Sequence, residues 1–282
     1  MPATQPETEL TLADLLTGEV QLASPPALYF ELCKAADDPT KSSEKLGNII
    51  GKDPNLCTRL LKIVNSAFFA FPSQIRTISR AITLIGIDEL QTLLLSTLII
   101  DKFSALPGGM PCMRDYWRNC LNCALLARLI GGHLHNSEGK EALFVCGLLH
   151  EIGQLLFYLR IPQLARDMAL QAEAGNIEVT QAERKLLGFD HYQAGAVLAR
   201  LWRLPELIAA TIANHHDPLM AKSHPQESAI VRLAWQLGIQ SDMASPCSAQ
   251  GHLLKIPQPV LQSMVQQAGE ELEEIVQLFC PG

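Results

Sequence analysis

Apolar residues recur at three- and four-residue spacing along almost the whole chain, and this periodicity constrains the fold more than any other feature. No run alternates β-branched with polar residues, and no Asn-Gly dipeptide marks a hairpin. Leu, Ile and Ala carry the apolar content, while aromatics are only 6% of the residues. That balance suits helices packed on helices. The sequence predicts an all-α protein, a helical bundle in two lobes.

Capping residues punctuate the bundle. Ser42 opens a helix over 42–52, and Asp53-Pro54 opens another over 53–69, with Leu56, Leu60, Leu61, Val64 and Phe68 on one stripe. Gly86 ends a helix over 77–86, and Asp88 is placed to cap the next. Residues 138–160 read as one apolar helix. The run "LPGGMP" at 106–111 is the best internal break. The expected division is an N-terminal segment 1–19, a first lobe 20–105, a second lobe 106–220 and a helical extension 221–282.

Charge and composition narrow the partners. Twenty-two basic and 29 acidic residues give a net charge of −7, so there is no chain-wide basic footprint for nucleic acid. The helix after Gly86 begins acidic and continues apolar, and it has no row of polar readers for a groove. The longest apolar stretch, around "LLLSTLIIDKF", is shorter than the ~20 residues that span a bilayer. No membrane role is expected. The opening residues do not pattern as a secretory signal. Most of the eight cysteines lie on apolar faces and read as buried thiols, which points to the cytoplasm. Cys120 and Cys123 form a CxxC inside such a face, with no second pair to complete a zinc site.

Polar ionisable groups inside this apolar pattern need a partner or a metal. His150 and Glu151 interrupt the run "CGLLHEIGQLLFYL", and His191, His215 and His216 lie at helix positions further along. Imidazoles and carboxylates together bind iron, manganese, nickel or zinc, and bundle interiors assemble such ligands from distant helices. Spacing alone leaves three readings open: a metal site, the remains of one, or core histidines with hydrogen-bond partners.

"LLHEIGQLLF" resembles the HD superfamily of metal-dependent phosphohydrolases, whose usual core reads His-Asp-Ile-Gly-Lys. The stretch "DPNLCTRLLKIVNSAFFAFPSQIRTISRAITLIGIDELQTLLL" is similar to the HDOD domain, the HD-related output domain of bacterial signalling proteins. "YWRNCLNCALLARLI", "FDHYQAGAVLARLWRLPELI" and "NHHDP" follow in that family's order, so the resemblance spans about residues 20–220. It implies an HD-like second lobe and a role in signalling or regulation. On that alignment His150 matches the HD histidine and Glu151 stands for the aspartate. Gln154 stands for the lysine, and Asn119 stands where active relatives supply the first histidine ligand. His191, His215 and His216 resemble the additional histidines of the HD-GYP phosphodiesterase branch, whose naming signature is missing after "NHHDP".

The departures weigh against hydrolysis. Asparagine is a poor ligand for a transition metal, and glutamate moves its carboxylate by about an ångström, which is of the order of catalytic tolerance. Gln154 brings no charge to a developing phosphate anion. The expectation is a regulatory binding module that takes a signalling protein or a small signalling ligand. The alternative is a divergent metal-dependent phosphohydrolase with His150, Glu151, His191, His215 and His216 as metal ligands. Within the 282 residues no receiver, GGDEF or kinase segment is legible, so no input domain is named. Phe68, Phe69 and Phe71 crowd a loop and read either as packing between the lobes or as a partner patch.

Overall fold

The computed structural model describes residues 10–16, 27–38, 42–66, 69, 71–104, 113–134, 140–239 and 254–280, and every regular element among them is helical. The first lobe contains α1 (Leu12–Leu16), α2 (Ala27–Ala36), α3 (Ser43–Ile50), α4 (Pro54–Val64), α5 (Ile78–Ile85) and α6 (Ile87–Ser104). Ser42 caps α3 by accepting from the Lys45 amide, and Asp53 caps α4 through the Asn55 and Leu56 amides. Gly86 adopts φ 89°, a conformation that suits glycine, and turns the chain from α5 into α6. Helix α6 already starts at Ile87, so Asp88 lies in its first turn instead of capping it.

Helix α4 stops at Val64, short of the predicted end at 69. The Asn65 side chain ends it: its amide donates to the Ile75 carbonyl at 2.8 Å and its oxygen accepts from the Ile75 amide at 2.7 Å. Phe68 lies outside the described residues. Phe69 and Phe71 are half-buried, stack in parallel at 6.1 Å and pack against the core. The Arg128 guanidinium lies 5.8 Å from the Phe69 ring centroid.

The second lobe is built on α7 (Met113–Leu134). After it come α8 (Lys140–Leu149), α9 (Ile152–Arg160), α10 (Pro162–Gly175), α11 (Val179–Leu187), α12 (His191–Leu201) and α13 (Glu206–Asn214). A 3₁₀ turn (Pro218–Met220), α14 (Pro225–Ile239) and α15 (Gln258–Phe279) complete the described chain. Helices α8, α14 and α15 all pack along α7. A β-carbon at Gly147 would sit 2.7 Å from the Ala124 Cα, so glycine is what lets α8 touch α7 backbone to backbone.

Phe103 of α6 joins the lobes, with ring centroids 6.4 Å from Trp117 and 6.2 Å from Trp202. The predicted break at 106–111 lies outside the described residues. Arg59 of α4 reaches the far end of the chain. It donates to the Leu278 carbonyl at 2.9 Å and to the Phe279 carbonyl, and it pairs with Asp101. The C-terminal helices are therefore tied to both lobes. Residues 141–160 are long and apolar enough to cross a membrane, longer than the sequence reading allowed, but 72% of that stretch is buried inside the protein.

The region read as one helix over 138–160 is two helices, broken at His150-Glu151. That break builds the site.

Candidate metal centre and adjoining cleft

Glu151 takes φ −102°, ψ 15°, the bridge region between helix and strand, and swings its carboxylate inward between α8 and α9. The Tyr116 hydroxyl donates to the Glu151 carbonyl at 3.0 Å, alongside the Gln154 amide that opens α9. Gly153, two residues on, presses α9 onto the start of α12. A β-carbon there would overlap the His191 carbonyl oxygen. Helix α12 begins at His191 because Asp190 and Gln193 form a reciprocal capping box, and Arg184 pairs with the buried Asp190. The two contacts bring residues 40 positions apart to one point: Glu151 Oε2 lies 3.1 Å from His191 Nε2.

Each central imidazole is oriented by its Nδ1. His150 Nδ1–H donates to the Gly147 carbonyl at 2.7 Å. His215 Nδ1–H donates to the Ile212 carbonyl at 3.1 Å. His191 Nδ1–H donates to Glu183 at 2.7 Å, and Glu183 also accepts the His191 amide at 3.0 Å. The three Nε2 atoms therefore face Glu151: His215 at 3.6 Å and His150 at 3.9 Å from Oε1, and His191 at Oε2. All three histidines are 1–3% exposed.

Electrostatics follow from this arrangement. Burial opposes ionisation of Glu151, but His191, His215 and His150 together hold its carboxyl well below the usual range. Burial pushes His150 down to about 4. Burial also works against His191, but Glu151 and Glu183 on either side outweigh it and raise the imidazole to about 10.

The donors fit a metal. Ligand atoms of His150, Glu151 and His215 lie within 4.8 Å of one another. His150 Nε2 is buried with no hydrogen-bond partner among the described residues, and the buried His191 Nε2 and Glu151 Oε2 have only each other, 3.1 Å apart. Glu183 holds His191 as carboxylates behind metal-bound histidines do.

The other predicted positions are arranged differently. His216 turns away from the cluster and stacks on Tyr192, ring centroids 4.5 Å apart and 8° from parallel. Asn119 is exposed on α7 and is not brought to the site. Its neighbours Cys120 and Cys123 are buried, and burial is the largest cause that raises both thiols, with the Glu151 charge adding to it. Gln154 is half-buried and lines a cleft of about 290 Å³ with Glu151, His191, Tyr192, His216, Arg232 and Trp235, among others.

Sequence reasoning missed Tyr192, Glu183, Arg232 and Trp235. Glu183 carried a signal: it stands on the inward face of α11 between Thr180 and Leu187, a carboxylate where the periodicity asks for an apolar residue.

The model of the HDOD domain matches residues 22–218. The chain belongs to the HDOD domain family. A Treponema pallidum relative, itself uncharacterized, is 30% identical over 212 residues, 73% of this chain. The HDOD chain spans only 39% of that relative's length. An HDOD domain protein of unknown function from Geobacter sulfurreducens superposes with a TM-score of 0.74 at 20% identity, over 90% of this chain and 92% of its own. A candidate phosphohydrolase from Shewanella amazonensis gives 0.75 at 20% identity, over 96% and 98%. A candidate signal transduction protein from Marinobacter aquaeolei gives 0.71 at 16% identity, over 98% and 62%. These likenesses establish the two-lobed all-helical fold.

Proposed function

We propose that this HDOD protein is a cytoplasmic signal-transduction module that holds a divalent metal in an HD-derived site. It reads a signalling protein or a small signalling ligand through the adjoining cleft, without hydrolysing phosphoesters. The observation that carries the reading is a separation. The cleft is lined by Glu151 and His191 but not by His150 or His215, the imidazoles that complete the metal-type triad.

His150, Glu151 and His215 would hold the metal, with His191 against the second carboxylate oxygen. A metal at such a site supplies Lewis acidity and an acidified water. The chain's own groups do the rest. Gly147 and the carbonyls of α13 fix the imidazole tautomers, and Glu183 fixes His191. Glu151 is the link between centre and cleft, so occupancy on one side changes the charge felt on the other.

A second reading has one observation in its favour. Two imidazoles and one carboxylate leave coordination positions open, as catalytic metal sites do. A divergent phosphohydrolase would use them. Assays of the purified protein with Mn²⁺, Fe²⁺ or Ni²⁺ against nucleotides and cyclic dinucleotides separate the two. The signalling reading expects no turnover above background. Robust turnover that vanishes in His150→Ala would replace it with the hydrolase.

A further inference from the structure

The cleft beside the metal-type cluster receives a positive charge from a part of the chain that the family model does not reach. That model ends at residue 218, and Arg232 lies on α14 beyond it. Helix α14 buries Ser228, Ala229, Ile230, Val231, Leu233, Ala234 and Leu237 against its neighbours. Arg232 and Trp235, three residues apart, fall together on its remaining face and are both half-buried. The guanidinium carbon sits 4.9 Å from the Trp235 ring centroid, a cation–π contact that fixes its direction.

The Arg232 Nε is buried and has no hydrogen-bond partner among the described residues. No described carboxylate comes within the 4.0 Å of an ion pair with it. The two carboxylates that line the cleft are engaged elsewhere. Glu151 faces three imidazoles, and Glu178 is exposed and accepts from the Thr180 hydroxyl at 3.5 Å. A guanidinium with a buried orphan donor is costly unless something supplies the acceptor.

The surrounding groups favour an oxyanion as that acceptor. Tyr192 lines the same cleft as Arg232, and its phenol hydroxyl can donate. Gln154 brings an amide, and His216 brings an imidazole whose Nδ1 is buried with no hydrogen-bond partner among the described residues. Planar guanidinium with neutral donors around it matches the tetrahedral oxygens of a phosphoryl group. At about 290 Å³ the cleft is at the small end of ligand pockets.

We propose that Arg232, with Tyr192, Gln154 and His216, makes this cleft a phosphoryl-binding site for a small phosphomonoester. The residue that defines it comes from the C-terminal extension and not from the HDOD segment. The proposal rests on the reading of the cleft as the ligand site and not on the metal. A regulatory HDOD chain would then acquire its ligand preference from whatever follows the family segment.

The test uses the full chain stripped of metal by chelator, titrated at constant ionic strength with inorganic phosphate, and separately with acetate. Trp235 fluorescence and heat are the readouts, with Trp235→Phe as the reporter control. Trp117 and Trp202 are buried, so Trp235 dominates any ligand response. Phosphate is expected to bind saturably, more tightly than acetate, and Arg232→Gln to weaken it at least tenfold. Arg232→Lys, which keeps the charge and loses the fork, should give an intermediate loss and guards against a misfolded glutamine variant. Arg200→Gln, which removes an exposed arginine paired with Glu206 away from the cleft, should leave phosphate affinity within twofold. Failure of the wild type to bind phosphate saturably, or equal binding by folded Arg232→Gln, overturns the proposal. Metal content is read separately, so loss of the metal reading leaves this test intact.

Discussion

Glu151 Oε2 and His191 Nε2 stand 3.1 Å apart at the junction of two helices that no local pattern joins. Glu151 gets there because α8 and α9 break beneath it, and His191 because Asp190 starts α12 at that position. The contact makes the buried carboxylate tolerable and sets it between the His150 and His215 imidazoles and the cleft.

Gly153→Ala tests how the contact is made. A methyl group at Gly153 meets the His191 carbonyl, so α9 must withdraw from α12. A loss of about 1–3 kcal/mol in urea unfolding is expected, with weakened metal uptake. Unchanged stability would show that α9 and α12 do not need this approach.

Glu183→Gln tests the support behind His191. The mutant removes one of the two carboxylates that hold the imidazole at about 10, so its titration moves down toward the ordinary 6.5. NMR of the His191 ring checks this, and an unmoved titration contradicts it.

The two histidines set opposite pH flanks. The folded-state value of His150 is lowered to about 4 from 6.5, so the unfolded chain takes a proton first and stability falls as pH drops from 6.5 toward 4. The value of His191 is raised to about 10, so its contribution is full below 6.5 and is lost as pH rises toward 10. Unfolding free energy measured across this range should be flatter on the acid side in His150→Asn. A mutant with the wild-type acid slope would assign that flank to other groups.

Arg59→Ala tests the tie between the first lobe and the last helix. It removes donors to the Leu278 and Phe279 carbonyls and the pairing with Asp101. A destabilisation of about 2 kcal/mol is expected, with faster amide exchange in the last turns of α15. Exchange confined to the first lobe would contradict the tie.

The sequence makes the scaffold legible where local chemistry decides it. Ser42, Asp53 and Gly86 mark helix ends through their own side chains or backbone freedom, and the structure keeps them. The break at His150-Glu151 was not legible, because apolar residues continue at helical spacing on both sides of it. It depends on Tyr116 and His191, which arrive from other helices. The histidines of the centre were legible as residue types out of place in a core. Asn119 misled because one residue along a helix turns a side chain by about 100°, which puts Cys120 inside and Asn119 in solvent. Arg232 and Trp235 lay beyond the residues that carry the resemblance, on a helix read only as part of the closing bundle.

A bound divalent metal is the property from which the signalling site is built. Elemental analysis of the full chain, purified without chelator, should find stoichiometric divalent metal that is lost in both Glu151→Gln and His215→Ala while the fold persists. A wild-type protein that holds no metal, even after reconstitution with Mn²⁺, Fe²⁺, Ni²⁺ or Zn²⁺, would contradict it and leave the cluster as histidines bonded to their own core.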